Sequence, residues 1–134
     1  MNEMYKGQER RKFKRVKVKL VVIYRKDQPL DVTIHEGTKE IKATMLDISE
    51  GGISILTEAD IPVSTTILIR FTLIKTDKDH ADFYGNMELR GEVRYNRLTG
   101  KSHRVGICFL DISDADKHNI SDFVQTIESQ PTKD

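Results

Sequence analysis

Apolar residues in this chain recur mostly at every second position, the spacing of strands that bury one face. From Val16 to Tyr24 the run VKVKLVVIY alternates at first and then becomes continuously apolar and β-branched, which predicts a first strand entering a core. Asp27, Gln28 and Pro29 mark a turn, and Val32–Ile34 offers a short edge strand before Glu36 and Gly37. In Lys39–Ile48 the residues Ile41, Ala43 and Met45 share one face, with Asp47 as the next position on it; Ile53–Leu56 resumes the apolar character after Gly51 and Gly52. Two strands joined by a tight turn are expected there. Thr65–Ile74 and Met87–Tyr95 read as further strands, the second with Gly91 in its middle, and the polar stretch 75–86 between them reads as a loop or hairpin tip. After the turn signal of Thr99, Gly100 and Lys101, Arg104–Leu110 supplies a last strand.

Only the end of the chain changes period. Ile120, Phe123, Val124 and Ile127 fall on one helical face, which reads as the side that covers a core, and Ser113 with Asp116 forms a plausible capping pair. Short strands followed by one amphipathic helix fit a mainly β fold, an antiparallel barrel or sandwich with a helix packed on it. No repeat or linker interrupts the pattern, so one domain over 1–134 is expected: a basic arm (1–15), a β-barrel (16–110) and a C-terminal helix (113–130).

Composition narrows the classes. Charged residues make up 32% and apolar ones 37%, as in ordinary globular proteins. No apolar run approaches the roughly 18 residues of a membrane span, and the N-terminus has no secretory signal, so a cytoplasmic protein without a membrane span is expected. The single cysteine, Cys108, reads as a small core residue in VGICFL. His35, His80, His103 and His118 show no metal spacing, and no nucleophile elbow is present, so neither a metal site nor catalysis is expected. Net charge is only +1, which argues against a general binder of nucleic-acid polymers. Its distribution is uneven, with eight Lys or Arg against one acid between Lys6 and Lys19. An anion is expected near that arm.

Two motifs give the anion a shape. Arg11 and Arg15 form an R-x-x-x-R pattern preceded by Arg10, and Asp47, Ser49 and Gly52 form a D-x-S-x-x-G pattern flanked by strands. Alone, the first is usually a solvated basic run and the second an ordinary hairpin. In this order, with RGEVRY and VGICF before a final helix, the chain resembles the PilZ family, bacterial domains that bind cyclic di-GMP, over nearly its whole length. The resemblance implies a six-stranded antiparallel (split) β-barrel with a C-terminal α-helix. It implies a cyclic di-GMP site of Arg10, Arg11, Arg15, Asp47, Ser49, Gly51 and Gly52, and no cofactor beyond that ligand. It also implies an arm that wraps across the barrel, and an output in motility or exopolysaccharide production.

The chemistry of these residue types suits that ligand. A guanidinium can bind phosphate oxygens bidentately, reach guanine O6 and N7, or stack on the purine. The Asp47 carboxylate can accept from guanine N1 and N2, a charge-assisted contact worth about 1.5 to 3 kcal/mol. Gly51 and Gly52 allow positive φ and close approach of the backbone to a flat ligand. Phe13, within the arm, reads as an anchor. Ordering of the arm on binding would be the signal, passed to an unidentified effector protein because no output domain follows the helix, with the chain a monomer or homodimer. Two alternatives belong to other classes. One is a PilZ-like module that binds protein and no nucleotide; the other is a single-stranded nucleic-acid binder, which the scarcity of exposed aromatics on the strands disfavours.

Overall fold

The period-two runs become six strands in a computed structural model that describes residues 14–28 and 39–128. They are β1 (Val16–Lys26), β2 (Ile41–Ser49), β3 (Gly52–Thr57), β4 (Thr66–Thr76), β5 (Ala81–Thr99) and β6 (Ser102–Leu110), followed by α1 (Asp114–Glu128). All pairings are antiparallel, and the order β1-β2-β3-β6-β5-β4 returns to β1 as a closed barrel. Closure leaves these strands without a free edge to recruit another chain.

Alternation along each strand translates directly into burial. Val22, Met45, Ile55, Ile69, Val93 and Val105, one from each strand, are completely buried in the barrel interior. Each such side chain contributes about 1.5–3 kcal/mol relative to leaving it in water. Helix α1 starts where its cap predicts: Ser113 Oγ accepts from the Asp116 N–H at 3.1 Å. Ile120, Phe123 and Val124 are buried and Ile127 packs against them, so the apolar helix face covers the barrel as expected.

Two expectations change. Of the two readings of 75–86, the hairpin holds and the loop does not: β4 and β5 continue pairing from Leu73 with Gly85 out to Thr76 with Ala81, and only 77–80 form the tip, closed by Asp77 N–H to His80 O at 2.8 Å. Its polar sequence hides a strand because the support comes from the helix rather than from the barrel core. Tyr84 meets Phe123 edge to face at 5.5 Å and its hydroxyl donates to Thr126 at 3.1 Å. Cys108 is only half-buried and faces outward, because Val105, Ile107 and Phe109 take the inward positions of β6. Val32–Ile34 falls outside the described residues, as do Phe13 and the end of the expected helix beyond Glu128.

Candidate functional site

The site begins with an irregularity in β2. Met45 pairs with Ile55, but the next partners are Asp47 and Ser54, so Leu46 is an extra residue on the β2 side. A bulge of this kind reverses the facing of everything after it. Ile48 therefore joins Ile53 in the core, and Asp47, expected on the face of Ile41, Ala43 and Met45, lies instead with Ser54 on the outer wall.

There its carboxylate is clasped from two sides. Arg15 Nη1 donates to Oδ1 at 2.6 Å, and Arg104 Nη2 donates to Oδ2 at 3.1 Å. The acid side chain is 10% exposed while the two guanidinium side chains are 32% and 40% exposed. A carboxylate so buried requires such partners to offset its lost hydration. The partly exposed guanidiniums still reach solvent. Arg15 stands immediately before β1, whose first residues pair with Ile48 and Asp47, so strand pairing brings the root of the arm to the acid across 32 residues of sequence.

The β2–β3 turn is held by its serine. Ser49 Oγ accepts from the Gly51 N–H at 3.1 Å and donates to Gly52 O at 3.5 Å, while Gly51 O accepts from Phe109 N–H at 2.9 Å. Positive φ is not the reason for the glycines, since the described glycines with positive φ are Gly85 and Gly100. Close approach is the reason at Gly52: a Cβ there would lie 2.1 Å from the carbonyl oxygen of Ile107 on β6.

Arg15, Asp47, Ser49 and Gly51 open onto one cavity of about 430 Å³. Gly52 is not on its wall but packs behind it, against β6. Arg10 and Arg11 lie outside the described residues. Also on the wall, and missed by sequence reasoning, are Ser54 of β3, Arg94 and Tyr95 of β5, and Arg104 and Cys108 of β6. Their signal was the outward parity of Arg104 and Cys108 on β6, but using it requires knowing that β6 lies beside β3 and β5 beside β6. Among the described residues, three arginines against one carboxylate make the lining positive, and one nitrogen bonded to Asp47 leaves each of Arg15 and Arg104 further donors from a set of five. The arrangement suits a compact anion carrying more than one charge.

The family model for the PilZ domain matches residues 9–126. No curated protein matches by sequence. Among solved structures, the chain is similar to the Bacillus subtilis inhibitor of motility (MotI/DgrA), with a TM-score of 0.65 and 16% identity over 96% of this chain and 59% of that one. It is similar to Escherichia coli YcgR in complex with c-di-GMP (TM-score 0.65, 14% identity, 89% and 46% covered). It is also similar to the K. pneumonia MrkH–c-di-GMP complex (TM-score 0.60, 14% identity, 89% and 52% covered). The chain thus spans about half to three fifths of the length of these structures.

Proposed function

The chain belongs to the PilZ domain family, and from that premise we propose that it is a receptor for cyclic di-GMP rather than an enzyme. The observation that carries the reading is the meeting of Arg15, from the first motif, with Asp47 and Ser49, from the second, at the mouth of one positively lined cavity. Solved structures of similar fold hold c-di-GMP in their complexes, YcgR and MrkH among them. In this reading Arg15, with Arg10 and Arg11 from the preceding arm, meets the phosphates and guanine edges. Asp47 accepts from a guanine, and Ser49, Gly51 and Gly52 shape the turn beneath it. Arg94 and Arg104 add charge that balances the dianion.

Ligand binding orders the arm on the barrel and presents a changed surface to an effector protein, in the cytoplasm, with motility or exopolysaccharide production as the regulated process. Among the described residues no helix is long and apolar enough to cross a membrane. Titration calorimetry with cyclic di-GMP tests the receptor reading. Micromolar or tighter binding is expected, with Arg15→Ala weakened about tenfold or more, the scale of a lost charge-assisted contact. No heat of binding from the intact chain would overturn it.

A further inference from the structure

Tyr95 is out of place for a barrel residue. Its inward neighbour Val93 is fully buried and pairs with Ile107, but Tyr95 pairs with Gly106, so Arg94 is an extra residue on β5. This second bulge turns an aromatic ring onto the outer wall, 38% exposed, where it lines the same cavity as Arg15 and Asp47. The ring occupies the space of the missing Gly106 side chain: a Cβ there would lie 2.0 Å from Tyr95 Cε2. Arg97 reaches over the ring, its Cζ 5.4 Å from the centroid.

We propose that Tyr95 is a stacking platform for a purine base, the residue by which this cavity selects a nucleobase-bearing anion over a simple phosphate. The inference rests on the receptor reading above and names the contact its arginines and acid do not provide. The described arginines of the cavity are engaged at their nitrogens, Arg15 and Arg104 with Asp47 and Arg94 with Glu92, and the flat face of a guanine is best met by an aromatic ring. Gly106 gives the ring room to lie against the sheet, and the cavity wall gives a base access to it. Arg97 holds the ring in the free protein and yields to the base, since base–aromatic stacking outweighs an exposed cation–π contact. A purely structural role, in which the ring only covers the glycine, accounts for the contact with Gly106. It gives no reason for the ring to stand in the wall of an arginine-lined cavity.

The two roles separate experimentally. Cyclic di-GMP is titrated calorimetrically into the intact chain and into Tyr95→Phe, Tyr95→Leu and Tyr95→Trp, each melted in the free state as well. Tyr95→Phe binds within about twofold of the parent, and Tyr95→Leu binds about five- to a hundredfold more weakly, the range for one lost base stack. The chain contains no tryptophan, so Tyr95→Trp adds a single reporter whose fluorescence falls as the ligand saturates. Tyr95→Leu that melts lower but binds as tightly as the parent would overturn the proposal. If Tyr95→Leu does not fold, the tryptophan variant decides, and unchanged fluorescence at saturation overturns the proposal equally. Failure of the intact chain to bind is a different result, which removes the receptor reading itself.

Discussion

Two cavities on the barrel wall have nearly the same size, about 430 Å³ beside Asp47 and about 450 Å³ beside Arg70, yet their charges are arranged in opposite ways. Around the second, Arg70 closes on Glu40 at 2.9 Å, and Arg90 is divided between Asp27 at 3.1 Å and Asp111 at 2.8 Å. These cations are matched by carboxylates and behave as an ordinary solvated surface. Around the first, Arg15 and Arg104 share the single carboxylate of Asp47, with Arg94 in the same wall turned toward Glu92 at 3.3 Å. Volume does not mark a binding site here. What sets the first apart is positive charge held in surplus by strand pairing.

The largest effect is expected from breaking the scaffold that creates the surplus. Gly52→Ala sets a methyl group against the Ile107 backbone, which cannot swing aside as a side chain would, and should cost about 3 kcal/mol, the upper end of overpacking. The measurement is the thermal melting midpoint, with ligand binding lost alongside; a variant as stable as the parent would show that β3 and β6 can separate without harm.

The contrast itself is sharpened by a pair of substitutions. Arg104→Ala should weaken cyclic di-GMP binding about tenfold or more, the scale of one charge-assisted contact of about 1.5–3 kcal/mol. Arg70→Ala, on the matched wall, should leave affinity within about twofold. Equal effects of the two in calorimetry would mean that only the overall field matters.

The smallest effect lies inside the barrel. The Tyr24 hydroxyl bonds Thr57 at 2.8 Å, and burial raises its pKa above the ordinary value while that hydrogen bond lowers it by less. The phenol is thus neutral in the folded state where an unfolded chain would ionise. Its contribution is complete below about pH 10, the unfolded value, and is lost as pH rises through the higher folded one. Tyr24→Phe should cost about 0.5–1.5 kcal/mol at neutral pH, flatten the alkaline loss of stability, and leave ligand affinity unchanged. Denaturant titrations at pH 7 and pH 11 check it.

Much of the fold was legible because each strand writes its own alternation. β1, β2, β3, β4 and β6 emerge within a few residues of where their apolar runs place them. That the strands of the 75–86 hairpin pair almost to its tip was not legible, since Tyr84 finds its partner on a helix 39 residues away, at Phe123. Of the site, Arg15, Asp47, Ser49 and Gly51 were found through a motif and do meet at one cavity. Arg94 and Arg104 were not, because nothing in GEVRYNR or SHRVG separates them from routine outward strand residues, and Tyr95 shares the inward parity of Val93 until the bulge at Arg94 turns it outward.

By itself the sequence determined most of the apolar side chains that enter the core, where the helix starts and which short segments supply the candidate site, all of it local information at a spacing of two or four residues. The tertiary structure alone decided that Asp47 turns outward, through a bulge of one residue, and that Arg104, 57 residues further on, reaches the same carboxylate as Arg15. Alternation records the face of a strand but not its neighbour. Neighbours follow from closing the barrel, when burying every apolar face at once leaves β3, β6 and β5 side by side.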